Sequence, residues 1–510
     1  MGRRHGWKLF TPIAALLAAM ALLTLAGCSN TGDPGGSASA SSLVVGASLE
    51  PTGLDITTTD GAGGPQALLY NVYETLVKIN GVGNLVGLLA TDWTVSPDGT
   101  TYTFSLQPHA TFANGDPITA QAVVDSLNHI RTNPSTTATI KTQLAIVTDA
   151  VATSRSTVQV TLRHRSHFWL YNMAGPAGIV IDPKGFSTLG TATAGSGPYV
   201  FKAWNKGDSV TLARNTNYWG NEAHFGSVTF KYFADPNAMT TAMKAGDINI
   251  ISDLTTPSAL GQFSDTSKYT VVKGTSNGEV VMGFNHDSAP LKKLKVRQAI
   301  IYAVDRKALL DSVWGGQGTL IGSMVPPTDP YYENLAGYYP YDPAKAKELL
   351  KEAGYGKGLT LSMPVPNLSY ATASAQFVAA QLKQVGITVK VQQQDFSTWI
   401  SQVFQKGDYD LTVVNHVEPK DIVKWADKNY YWHYDNPEFN LLIAEADQAP
   451  TDAEFISYMK QAAEILTTDA AGDFLFLFPH IAICDSSISG ITANEVTSSF
   501  DLTTLASRNN

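Results

Sequence analysis

A mixed α/β fold is predicted for this 510-residue chain by three observations. Short segments of alternating apolar residues fill the first half, helices with a 3.6-residue apolar period alternate with strands in the second, and nothing repeats at a fixed interval. Length argues for two or three domains, because a single hydrophobic core stops growing well short of such a chain.

The elements follow in order. Arg3, Arg4 and Lys8 precede an unbroken apolar run from Ile13 to Leu23, and Leu25-Ala26-Gly27 places small residues before Cys28. Residues 1–27 therefore read as an export signal, with an apolar core shorter than the roughly 20 residues a spanning helix needs. The Leu-Ala-Gly-Cys order resembles the lipobox of bacterial lipoproteins, which implies that Cys28 becomes the acylated N-terminus. Residues 28–42, rich in Gly, Ser and Ala, cannot bury a core and are expected as a flexible tether. With Cys28 lipidated, Cys484 has no partner, so the fold must hold by burial rather than by disulfides.

Leu43 to Leu49 is a strand-length apolar run, and Gln66 to Ile79 places Leu69, Val72, Tyr73, Leu76 and Val77 at helical spacing. Trp93 to Val95, the turn Ser96-Pro97-Asp98-Gly99 and the alternation Tyr102, Phe104, Leu106 predict a hairpin. Ile118 to Arg131 is an amphipathic helix, and Val158, Val160 and Leu162 alternate as a strand. Helical patterns follow at Lys293 to Trp314, Pro343 to Ala353, Ala373 to Val385 and Ala453 to Thr468, with strands at Leu359 to Met363, Ile387 to Val391 and Tyr409 to Val414. The helix, Gly386, strand, helix, strand order from Ala373 to Val414 predicts a partly parallel sheet whose strands end on a shared edge, where ligands tend to sit.

With 35 basic and 44 acidic residues the formal charge is −9, and loss of Arg3, Arg4 and Lys8 makes the body more acidic, which argues against nucleic acid as a partner. No Gly-x-Ser-x-Gly elbow is expected, and no His-Glu-x-x-His, P-loop lysine or Cys-x-x-Cys is present. His164 and His167, beside Arg163 and Arg165, read as a basic surface stretch rather than a metal site.

The run "GSGPYVFKAWNKGDSVTLARNTNYWG", Gly195 to Gly220, reads first as a hairpin, with strands Tyr199 to Trp204 and Val210 to Arg214 around Lys206-Gly207-Asp208. Its residue order resembles the hallmark of the family 5 extracellular solute-binding proteins of ABC importers. "LYNVYETLVKI", "LLATDWTVSPDGTTYTFSLQPHATFANGDPITAQAVVDSL", "KVRQAIIYAVDRKALLDSVWGG" and "YDPAKAKELLKEAGY" resemble further family signatures in the right order. The resemblance thus covers nearly the whole chain after the tether. It departs at Gln121-Ala122, where the family usually has an acidic residue before the valine, a difference expected to matter for packing.

This resemblance implies an α/β, two-lobed periplasmic-binding-protein-like fold (type II, cluster C) with an extra N-terminal domain. Residues 43–73, 196–283 and 479–510 would form lobe I, residues 74–195 its extra domain and residues 284–478 lobe II, with crossovers near Gly283 and Phe478-Pro479. It implies a lipid-anchored monomer, without catalysis or cofactor, that captures a peptide by lobe closure and delivers it to an ABC permease driven by a separate ATPase. The alternatives are the same role for a nickel or other metal chelate, a sugar or another small solute, a secreted hydrolase, or an adhesion or signalling lipoprotein.

In peptide-binding members an acidic residue shortly after a strand pairs with the ligand's α-ammonium. By spacing from Tyr409-Asp410, Glu418 falls closest and Asp421 second, the other reading of Glu418 being a cap for a helix starting near Lys420. Polar residues begin at Asn415, and the backbones of Val414 to Val417 and of Ser48 to Glu50 are expected hydrogen-bond partners for an extended peptide. His416 either touches a ligand or chelated metal or is a neutral hydrogen-bonded histidine. From the downstream aromatic cluster, Trp425 and Trp432 are the expected ligand walls, ahead of Tyr430, Tyr431 and Tyr434. Arg297 matches a family arginine and is expected in a structural ion pair.

Overall fold

The computed structural model describes residues 42–508. The expected export signal, Cys28 and all of the expected tether but Ser42 lie outside the described residues. No helix among the described residues is long and apolar enough to cross a membrane.

Local patterns became local elements wherever alternation and turn chemistry agree. The hairpin Ala90–Val95 and Thr101–Leu106 joins Thr157–Leu162 and Val147–Ala152 in a four-stranded antiparallel sheet. Against it lies the helix Ala120–Thr132, capped by the Thr119 hydroxyl and burying Val123, Val124, Leu127 and Ile130. Gln121 is exposed on this helix and donates to Asp125, so the departure there touches the surface and not the core.

The main sheet has eight strands, in the order Leu411–His416, Tyr269–Phe284, Gly472–Asp485, Ile250–Ile251, Ser42–Ala47, Ser227–Tyr232, Ser209–Arg214 and Tyr199–Asn205. Two of these strands are long. Tyr269–Phe284 and Gly472–Asp485 run antiparallel through the whole molecule, and the apolar cores divide along them. Residues between Leu43 and Phe263, with Ile481 to Leu505, pack on one side, and residues between Val280 and Leu477 pack on the other. The ladder between the two strands breaks register twice, widely between Thr275 and Glu279 opposite Phe478 and again between Val280 and Val281. Ser276 donates to the Phe478 carbonyl across that break, at 2.8 Å, and Asn277 donates to the Val496 carbonyl at 3.0 Å. The wider interruption lies at residues 276–278, upstream of Gly283.

Gly283 is a glycine for a packing reason. A Cβ there would stand 2.8 Å from Trp432 Nε1 and 3.0 Å from its Cδ1, so the indole can lie flat on the strand only because no side chain intervenes. The run Gly274-Thr275-Ser276-Asn277-Gly278 has the Gly-x-Ser-x-Gly spacing of a hydrolase elbow, yet it lies within a strand rather than at a strand-to-helix turn. Its Ser276 hydroxyl is committed to backbone.

Three expectations are corrected. The helix expected over Gln66 to Ile79 is only Gly63–Leu68; Tyr70 turns to a φ of 63° and Val77–Ile79 pairs as a strand with Leu85–Gly87. The apolar spacing there reflects burial on all sides, with Asn71 bonded to Ala67, Phe500 and Leu502, and these tertiary contacts override helix periodicity. The helical pattern from Lys293 to Trp314 divides into Leu294–Tyr302 and Arg306–Trp314, because Asp305 caps a new helix through Ala308 N. Leu359–Pro366 and Ile387–Gln394 do form a parallel pair joined by the helix Ser369–Gln384, but Leu411–His416 pairs antiparallel with Tyr269–Phe284 instead of extending it.

The signature hairpin owes its shape to one buried carboxylate. Glu74 accepts from Ser196 Oγ at 2.7 Å, Tyr218 Oη at 2.8 Å and Trp219 Nε1 at 2.9 Å. Gly195 must be a glycine because a Cβ there would fall on the Val72 carbonyl. Burial pushes the Glu74 carboxyl up to about 7, against the three donors that favour its charged form.

Candidate functional site

Leu411–His416 is the edge strand of the main sheet, buried through Val414 and half-buried at Asn415 and His416. Asn415 N donates to Tyr370 Oη at 3.0 Å, while its own Oδ1 is buried without a partner. Both ring nitrogens of His416 are engaged, Nδ1 at 2.8 Å from Asp421 Oδ2 and Nε2 at 2.8 Å from Tyr431 Oη. A neutral imidazole satisfies both contacts by donating to Asp421 and accepting from the tyrosine, which leaves no lone pair for a metal. Val417 is exposed beyond the strand end.

The loop then turns at Lys420, which has a φ of 61°, into the short 3-10 helix Asp421–Ala426. Glu418 does not cap it. Its carboxylate is more than half exposed and lies 3.3 Å from Lys424 Nζ. Asp421 is the opposite case: 3 % exposed, holding His416 with one oxygen, its Oδ1 buried and unpartnered. Of the two carboxylates singled out by spacing, the fold thus buries Asp421 and leaves Glu418 in solvent.

Trp425 and Trp432 are each 1 % exposed and stack on one another at 3.8 Å between ring centroids and 9° between planes. They are packed into the core beneath the loop. Tyr430 and His416 lie closer to the surface, both half-buried. Ser48 is exposed at the end of Ser42–Ala47, and Glu50 is held by Trp204 Nε1 at 2.7 Å and Gly207 N at 2.8 Å. Arg297 is buried, but its partners are the carbonyls of Leu291, Asp469 and Ala470 rather than the carboxylate of an ion pair.

Sequence reasoning missed Glu279, Asp329 and the aromatic seat of Lys420. Glu279 lies opposite His416 in the strand register, is 1 % exposed, and has a buried Oε2 without a partner. Burial first, then the negative charges of Asp421 and Asp329, hold its carboxyl well above the ordinary range. A signal for it existed: it is the single charged residue in the apolar run Gly278 to Phe284. Lys420 is ion-paired with Asp329, and its ammonium sits 4.8 Å from the Tyr171 ring centroid and 5.0 Å from that of Tyr331.

Tyr171 packs against the apolar core that begins at Leu43 and Tyr331 lies within the one that begins at Val281, so Lys420 stands where two cores meet. Further contacts cross nearby. Ser166 Oγ donates to Asp447 Oδ1 at 2.6 Å, His167 Nε2 lies 2.8 Å from the Ala449 carbonyl, and the His167 ring stacks on Phe455. The stretch expected as basic surface therefore includes a contact at His167 with distant residues, Ala449 and Phe455, while His164 turns back to the Arg165 carbonyl at 2.9 Å. Among the described residues no group of three or more His, Cys, Asp or Glu is arranged to hold a metal ion. A shallow recess lined by Tyr70, Asn80, His480, Glu495 and Phe500 shares no residue with this cluster.

Comparison with known proteins decides the family. The profile of "Bacterial extracellular solute-binding proteins, family 5 Middle" matches residues 84–446. This chain belongs to the family 5 solute-binding proteins. Among curated members, the nickel-binding periplasmic protein of Escherichia coli K12 is 30% identical over 344 residues, 63% of this chain and 65% of that protein, so the match spans just under two thirds of the relative. The glutathione-binding protein GsiB of Pectobacterium atrosepticum is 28% identical over 80% of this chain and 84% of its own. The fold is that of family 5 receptors: the periplasmic binding protein DppA of Helicobacter pylori, solved with the peptide STSA, superposes with a TM-score of 0.79 at 20% identity, over 92% of this chain and 98% of that one. The chain is thus a two-lobed α/β solute-binding protein of the ABC importer class, and its family acts outside the cytoplasm.

Proposed function

We propose that this family 5 protein captures short peptides between its lobes and delivers them unchanged to a membrane permease, anchored meanwhile by lipid on Cys28. In this reading residues 43–73, 196–283 and 479–510 make lobe I, residues 74–195 its extra domain and residues 284–478 lobe II. The observation that carries the peptide reading is the Asp421 carboxylate, buried beyond the edge strand with one oxygen unpartnered. A carboxylate so placed wants an ammonium, and a peptide's N-terminus supplies one in an environment where the pair gains from exclusion of water. Asn415 offers a second unpartnered acceptor, and the backbone at Val417, like that at Ser48, lies beyond a strand end where an extended chain can be met by main-chain groups. Closure on the guest shifts an equilibrium between open and closed lobes, and no bond is made or broken.

Calorimetric titration of the intact protein with di- to pentapeptides tests this reading, together with small-angle scattering to follow closure. Binding of at least one peptide with a more compact scattering profile is expected. Tight binding of a nickel chelate or sugar with no response to any peptide would overturn it, and the nickel-binding relative makes the chelate the control to include.

A further inference from the structure

Four carboxylates surround the edge of the Leu411–His416 strand, and the structure matches only two of them with cations. Asp329 holds Lys420 and Glu418 holds Lys424. Asp421 receives one contact, from a histidine that needs no charge to make it, and Glu279 receives none from any side chain. Glu279 and Asp421 are 1 % and 3 % exposed, each with one oxygen lacking a partner, and they are close enough that Asp421 disfavours the charged form of Glu279. Water cannot screen two such groups, and a buried carboxylate without a partner costs several kcal/mol. Burial and the neighbouring Asp421 charge therefore favour the protonated form of Glu279.

The walls are suited to positive charge. Tyr171 and Tyr331 flank the Lys420 ammonium with their rings, which shows the kind of group these surfaces accept, and the Tyr331 hydroxyl is buried beside Asp329. An α-ammonium neutralises Asp421. The remaining carboxylate calls for a second cation within a few ångströms of the first, which in a peptide is a lysine or arginine side chain near the amino terminus.

We propose that the cleft selects peptides carrying two positive charges at their amino-terminal end, and that Glu279 is the specificity-determining residue for the second charge. The proposal rests on the peptide reading above. Binding of the second ammonium expels the stored proton: the Glu279 O–H bond breaks, its proton passes to solvent, and the carboxylate pairs with the ligand cation.

The test is calorimetry at pH 7 in two buffers of different ionisation enthalpy, with Lys-Ala-Ala and its neutral counterpart norleucyl-Ala-Ala, on the wild-type protein and Glu279→Gln. The wild type is expected to bind the lysine peptide about tenfold or more tighter, the worth of one charge-assisted hydrogen bond, and to release a proton on doing so. Glu279→Gln is expected to bind both peptides alike, without proton release. Equal affinities in the wild type overturn the proposal whether or not the variant folds, and so does a lysine preference that survives in Glu279→Gln. If neither peptide binds but 1,5-diaminopentane does, and Glu279→Gln weakens it, charge selection stands and the peptide reading fails. If none of the three binds, the proposal is overturned.

Discussion

Replacing Glu74 by alanine takes one acceptor from Ser196, Tyr218 and Trp219 at once, and the size of the effect depends on pH. A donor left without its buried partner costs about 1–3 kcal/mol. Three donors sharing one carboxylate do not add independently, which sets the loss at about 3–5 kcal/mol. An opposing effect comes from the carboxylate itself. Burial raises its pKa from 4.5 to about 7, a preference for the neutral form of about 3 kcal/mol. The folded state thus holds this proton more tightly than the unfolded chain, so the group's contribution is fully present at low pH and declines as pH rises from 4.5 through about 7. Glu74→Ala is therefore expected to lower the unfolding free energy by about 3–5 kcal/mol at pH 5 but only about 0–2 kcal/mol at pH 8, where it also relieves the buried charge. Urea denaturation followed by tryptophan fluorescence at the two pH values measures both. Equal losses would refute the assignment of a burial penalty to Glu74, and a larger loss at pH 8 would reverse its sign.

Gly283→Ala forces a methyl group against the Trp432 indole and is expected to cost about 1–3 kcal/mol, with a changed near-ultraviolet circular dichroism from the Trp425 and Trp432 stack. Arg297→Ala leaves the carbonyls of Leu291, Asp469 and Ala470 without their donor, for an expected loss of about 3–5 kcal/mol in chemical denaturation; Arg297→Lys recovers only part, since one ammonium cannot reach all three. His480 has a carbonyl at each ring nitrogen, Ala493 at 2.8 Å and Ser252 at 3.0 Å, an arrangement that favours the charged ring, in which both nitrogens donate. Burial alone would lower its pKa, but Glu495, Asp253 and the two carbonyls outweigh it and hold the value above 6.5. Its contribution is present below pH 6.5 and lost as pH rises through the raised value, so His480→Gln is expected to narrow its stability gap to the wild type with rising pH in thermal melts. Cys28→Ser is expected to move the protein from the membrane fraction to the soluble one, and an unchanged distribution would dismiss lipid anchoring there.

Much of the fold was legible because it is local. The hairpin at Ser96 to Gly99, the Thr119 cap and the helix between Leu359–Pro366 and Ile387–Gln394 are written in residues a few positions apart, where alternation, capping and turn chemistry suffice. The candidate site was legible only as a neighbourhood. Spacing led to Glu418 and Asp421 together, and nothing in the chain order says that one reaches solvent to meet Lys424 while the other is driven under His416.

The sequence by itself determined the acidic composition, the strand and helix repertoire, and the order of family signatures. Tertiary structure alone decided which polar groups lost their water. Glu74 meets Ser196 across 122 residues, and Glu279 meets His416 and Asp421 through the register of two strands distant in the chain. The physical reason is that burial and charge depend on three-dimensional distance, which sequence separation does not measure, so a lone glutamate in an apolar strand shows its meaning only when its neighbours arrive.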